Sequence, residues 1–203
     1  CLSEQPVTGR CTSYALSSGY GIMSNWNTSN VTDMTNAFKD TTFNGDISNW
    51  NTSNVTDMTN AFKDNSSFNQ DLSAWNASAV INMNSMFYGA RAFNQDLSAW
   101  NTSSVTNMGL MFSGATSFAQ DLSAWDTSSV TNMSSMFSRA TSLTSISLPQ
   151  TGAVTDMSGM FSGATSLTSV NIPQTSAVRH MSGMFNGATS FAQDIRAWDV
   201  SSV

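Results

Sequence analysis

The sequence predicts an α/β repeat solenoid of seven to eight short units. Three observations predict it. A Val recurs at 31, 55, 80, 105, 130, 154, 178 and 203, at spacings of 24 or 25 residues. A Met follows three residues later, at 34, 58, 83, 108, 133, 157 and 181, and a Phe four after that, at 38, 62, 87, 112, 137, 161 and 185. A Trp stands ahead of most of these Val residues, at 26, 50, 75, 100, 125 and 198. A unit this short cannot bury its own apolar face. Stacked neighbours bury it together, which is the logic of repeat architectures.

Two elements are expected inside each unit. The segment DLSAW (71–75) alternates, with Leu72 and Ala74 on one side and Asp71 and Ser73 on the other, as a short strand should. Met83, Met86, Phe87 and Ala90 fall at helical spacing. Gly89, Gly114, Gly163 and Gly187 precede the matching Ala and would end that short helix. Strand, turn, short helix and return make a leucine-rich-repeat-like coil. The alternative is a three-sided β-helix without helices.

Two units lack the Trp and carry Leu148-Pro149 and Ile172-Pro173, where others read Ala74-Trp75 or Ala99-Trp100. The bulky residue moves by one position, which conserves core volume. This places the Trp rings at least partly in the core. The competing reading is an exposed aromatic ladder for stacking on sugars. The Met columns, Met83 to Met181 and Met86 to Met184, are expected as core filler.

Composition excludes several classes. Only 10% of the 203 residues are charged, while 36 Ser, 23 Thr and 20 Asn supply a neutral polar surface. A net charge of −6 with seven scattered basic residues argues against nucleic acid as partner. No apolar run reaches the ~18 residues of a membrane span. Neutral polar surface of this kind suits an extracellular or cell-surface protein.

No catalytic constellation is visible, so no enzyme is expected. His180 takes the place of Asn132 and Asp156 in other units and should face solvent. Without a His partner no Ser or Thr is an activated nucleophile. Asp46, Asp71, Asp96, Asp121 and Asp194 form a column. Turn-forming Asp fits it better than a calcium ladder, because the Gly-x-Asp pattern of calcium-binding arrays is missing.

N-glycosylation sequons stand at Asn27, Asn30, Asn51, Asn54, Asn65, Asn76, Asn101 and Asn132. Composition alone accounts for about six such sites, so their placement matters more than their number. Asn27, Asn51, Asn76 and Asn101 share one unit position. N-linked glycans are the only added groups suggested, and no cofactor is. The same Asn residues could equally form turn hydrogen bonds. Two Thr columns, one through Thr28, Thr52, Thr102, Thr127, Thr151 and Thr175 and one through Thr32, Thr56, Thr106, Thr131 and Thr155, raise an ice-binding alternative.

Residues 1–21 fall outside the repeat and hold both cysteines. They are expected as an N-terminal cap segment on a repeat domain of residues 22–203. A Cys1–Cys11 disulfide would rigidify the cap. The other reading makes Cys1 a lipid-modified first residue. The repeat pattern runs to Val203 without a following cap, so either more chain or another subunit is expected over that face.

The units LTSISLPQTGAV (143–154) and LTSVNIPQTSAV (167–178) resemble the BspA-type leucine-rich repeat. The FNQDLSAWNTSSVTNM units resemble its relative, the repeat of mycoplasma-type surface lipoproteins. The resemblance covers about residues 22–203. It implies surface display, adhesion and protein–protein contact, and carries no catalytic residues. The expected function is a non-catalytic extracellular structural or adhesive module, a candidate subunit of a surface filament assembled end to end. An ice-binding or carbohydrate-binding solenoid is the alternative. Expected partners are further copies, surface proteins or glycans.

Overall fold

The computed structural model describes residues 23–203. The proposed cap and the Cys1–Cys11 pair lie outside them. Successive units are joined in parallel register. Single backbone bridges link Asp33 to Asp57, Asp57 to Asn82, Asn82 to Asn107, Asn107 to Asn132, Asn132 to Asp156 and Asp156 to His180. Each step equals one sequence repeat.

The columns of the repeat form the core. Val80, Met83, Met86, Phe87, Ala90, Phe93, Leu97 and Trp100 are all buried. Equivalent rings stack from unit to unit: Phe62 to Phe87 at 5.4 Å and Phe87 to Phe112 at 5.6 Å, with planes within 8°. Within one unit Phe87 lies 3.9 Å from Phe93. The Met columns are core filler as expected, since Met83, Met108, Met133 and Met157 are completely buried. Thioethers on unbranched stems fill the gaps that flat rings leave.

The expected helix over 83–90 is not formed. Among the described residues the one helical element is a 3-10 turn, Met23–Asn25. The segment is instead a string of overlapping turns. Alternate N–H groups bond three residues back, as from Met86 to Met83, Tyr88 to Ser85 and Ala90 to Phe87. The intervening N–H groups of Met83, Ser85, Phe87 and Gly89 reach the next unit, at Asn107, Gly109, Met111 and Ser113. Ser85 and Gly89 hold positive φ, 55° and 67°, which no right-handed helix tolerates. A turn with φ above zero at its third residue is the type II arrangement. Such turns carry every second N–H outward to a neighbour, and they keep positions 83, 86, 87 and 90 on the inner side just as a helix would.

The expected strand at 71–75 is not formed either. Leu72 and Trp75 are buried while Ala74 is exposed, so the alternation breaks. Side-chain amides replace the strand ladder there. Asn69 Oδ1 accepts the Asn94 N–H at 2.9 Å and the Gln95 amide at 3.0 Å, and Asn94 repeats this with Ala119 and Gln120. The variant units lack that Asn-Gln pair and pair through backbone. Strands β1 (Ser145–Ser147) and β2 (Ser169–Asn171) lie parallel, with Ile146 opposite Val170. Leu148 and Ile172 are buried there, in keeping with the volume exchange read from the sequence.

Candidate functional site

Most of the polar residues singled out by the sequence hold the backbone. In the units around Trp50, Trp75, Trp100 and Trp125, three corners are Asx turns, in which a carboxylate or amide oxygen accepts the N–H two residues on. In the unit around Trp100 these are Asp96 with Ser98 at 2.8 Å, Asn101 with Ser103 at 3.1 Å and Asn107 with Gly109 at 3.0 Å. The Asp column is therefore turn-forming: Asp46, Asp71, Asp96, Asp121 and Asp194 all accept in this way. The Ser98 N–H, then its hydroxyl, hold the Asp96 carboxyl below its ordinary value, and Ser48 does the same for Asp46. Charge stabilised by fixed donors asks for no cation.

The Trp residues are core staples. Trp75, Trp100 and Trp125 are buried, and their indole N–H groups donate to the carbonyls of Ile47, Leu72 and Leu97 in the preceding unit, at 2.9–3.1 Å. This leaves no sugar-stacking ladder through the middle of the array. Trp26 alone is substantially open, at 37% exposure.

The two Thr columns part company. Thr28, Thr52, Thr102, Thr127, Thr151 and Thr175 are buried. The first five donate their hydroxyls to a carbonyl of the next unit, as Thr127 does to Gln150 at 2.7 Å. Thr32, Thr56, Thr106, Thr131 and Thr155 are exposed, in a column broken by Ile81 and Arg179. A flat array of two exposed Thr columns, as ice binding requires, is absent from this face. His180 is exposed, as expected.

The sequons sort by access. Asn27, Asn51, Asn76 and Asn101 are exposed and use their Oδ1 in turns, with no hydrogen bond from Nδ2 among the described residues, and Asn30 is also exposed. Asn54 donates Nδ2 to Ser29 at 2.7 Å. Asn65 is completely buried, with Nδ2 bound to Thr41 and Phe43. A glycan cannot be accommodated there on the folded chain, so Asn65 leaves the candidate set. Asn132 is half-buried, and its Nδ2 lies against Gly109.

Two surface depressions stand out among the described residues. One of about 480 Å³ lies over β1 and β2 and is bordered by Gln193. The other, of about 610 Å³, crosses the turn-string face between Asp64 and Arg139. Sequence reasoning missed the second. Its signal was present: in a column that opens with Asp40 and Asp64, Arg139 interrupts the run of Gly89, Gly114, Gly163 and Gly187.

The profile of one family, described as Mycoplasma protein of unknown function, DUF285, matches residues 12–109, 79–172 and 143–203. The chain belongs to this family. The overlapping DUF285 matches reflect the internal repetition. No curated protein and no solved structure matches the chain. Membership in DUF285 fixes the mycoplasma-type repeat; kinship to BspA-type repeats is a narrower statement than the match makes. No helix among the described residues is long and apolar enough to cross a membrane.

Proposed function

We propose that this DUF285 chain is a non-catalytic display module of the extracellular surface, built as a repeat solenoid with turn-built corners in place of helices. It would then stand nearer the three-sided alternative than a leucine-rich-repeat coil. Kinship to the BspA-type repeat, resting on units 143–154 and 167–178, is part of the same proposal. Surface proteins, glycans and further copies of the chain are its partners in this reading.

One observation carries it. A fixed backbone presents a variable column. The place held by Lys39 and Lys63 passes to Tyr88, Ser113, Ser138, Ser162 and Asn186, while the turn around it stays the same. The next place runs Asp40, Asp64, Gly89, Gly114, Arg139, Gly163, Gly187, all with positive φ. Side chains that vary on an invariant frame suit recognition, since function concentrates on surface positions held by a rigid scaffold. Labelling of intact source cells with antibody to the folded chain tests the proposal, together with release by brief external protease treatment. Labelling that appears only after lysis would overturn it.

A further inference from the structure

We propose that the trench between Asp64 and Arg139 binds a short saccharide carrying one carboxylate. This deepens the display reading by naming a ligand class for one part of the variable column.

The trench exists because two successive units have no side chain at that column. Gly89 and Gly114 lie between Asp64 and Arg139, and a Cβ built on Gly114 would meet only the Gly89 backbone, at 3.5 Å. Asp64 leans over Gly89, and Arg139 lies against Gly163 on the far side. The resulting space of about 610 Å³ falls in the range of small-ligand sites, roughly 300–1,000 Å³.

Three features select the ligand. Arg91 and Arg139 both line the trench, both are exposed, and neither side chain has an ion pair or hydrogen bond among the described residues. A guanidinium fork fits a carboxylate in two-point contact. Ser113 is only 7% exposed, lines the same space, and makes no side-chain hydrogen bond. One unit on, Ser138, which also lines the trench, satisfies its hydroxyl on the Ser162 carbonyl at 3.1 Å, whereas the Ser113 hydroxyl has no such partner and is left for a ligand. The rest of the lining is mainly hydroxyl-bearing, which suits sugar hydroxyls and offers little to an apolar side chain.

Asp64 at the other end, with a net charge of −6, sets an upper limit on ligand charge. A polyanion would meet repulsion there. A sugar hydroxyl can instead donate to the Asp64 carboxylate. One carboxylate on a hydroxyl-rich body satisfies both ends.

The repeat supplies its own fold-neutral variants. Arg139→Gly restores the residue at Gly114 and Gly163, and relieves φ of +58°. Arg91→Thr restores the residue of Thr116 and Thr141. Gly114→Asp fills the trench with a residue that Asp64 already shows can adopt this backbone. The full chain would be titrated with D-glucuronate and N-acetylneuraminate by calorimetry and saturation-transfer NMR, beside glucose, inorganic phosphate and the dipeptide Gly-Ser. We expect the sugar acids to bind with Kd of about 1 mM or tighter. Each Arg variant should weaken this at least tenfold and Gly114→Asp should abolish it, with a cooperative melt retained in all three. Sugar acids binding no tighter than glucose or phosphate would overturn the proposal. So would tighter binding of the dipeptide, or indifference to all three variants. Cell-surface labelling would stand unaffected by any of these failures, so the two readings fail separately.

Discussion

Replacing Thr127 with Val tests whether the buried hydroxyl column joins the units. Thr127 is completely buried and donates to the Gln150 carbonyl at 2.7 Å. Valine keeps the shape, puts a methyl in place of the hydroxyl, and removes that bond. Loss of the bond with its acceptor left short of a donor costs about 1–3 kcal/mol. Burial of the added methyl returns about 0.8 kcal/mol. The net expectation is a loss of about 1 kcal/mol, or ~2–4 °C in Tm for a chain of this size. The molecule holds its own control. Thr175 occupies the same column, is equally buried, and its hydroxyl has no partner. Thr175→Val loses no bond and gains the methyl, so it should be stabilising by up to about 1 kcal/mol. Urea melts at constant m-value would read both changes. Shifts of equal sign and size at 127 and 175 would refute the claim that these hydroxyls act by joining units.

Val105 is completely buried, and Val105→Asp should cost several kcal/mol and abolish soluble folded protein; an unchanged melt would refute the core register. Far-UV circular dichroism should lack helical minima, because the turn-string face replaces the helix read from the sequence; strong minima would contradict that geometry. Secreted from a eukaryotic host, the chain should carry glycans among Asn27, Asn51, Asn76 and Asn101 and none at Asn65, by mass spectrometry of the sequon peptides. Asp46 and Asp96 have native carboxyls held below the usual 3.8, so their stabilisation is present above that value and is lost as pH falls through the native one. Tm should hold from pH 7 to about 5 and drop below about pH 4. Asp46→Asn with Asp96→Asn keeps both acceptors and should make that acid limb shallower; an unaltered limb would refute the assignment.

The core columns were legible because a period of 24–25 residues repeats Val, Met, Phe and Trp nearly without fault. The local conformation was not. Apolar residues at 83, 86, 87 and 90 satisfy a helix and a string of turns equally well. What separates the two is left-handed backbone at every fourth residue. Gly89 hints at it, as do Gly159 and Gly183 in the other such column, but the remaining places of that column are Asn36, Asn60, Ser85, Leu110 and Ser135, and Leu110 gives no local warning at all. Only the pull of N–H groups toward a neighbouring unit fixes that choice, and a single unit does not contain it. The Asp and Asn turns were readable from turn chemistry. The Trp indole bonds were not, since each reaches a carbonyl 27 or 28 residues earlier. The trench was written in a column that reads Asp64, Gly89, Gly114, Arg139, and it gains meaning only once adjacent units are placed side by side.

The amide of Gln193 bonds both faces of Val170, accepting from its N–H at 2.7 Å and donating to its carbonyl at 2.9 Å. One side chain thus imitates a neighbouring extended backbone. It works as an adapter between the strand-forming kind of unit and the amide-joined kind that follows. Gln70, Gln95 and Gln120 hold the same place in their units and bond the unit before, so this joint uses a side chain that the amide-joined units already carry. Duplication or deletion of whole units then changes reach and surface text while leaving the joints intact, so the gene can vary what the protein shows at little risk to how it folds.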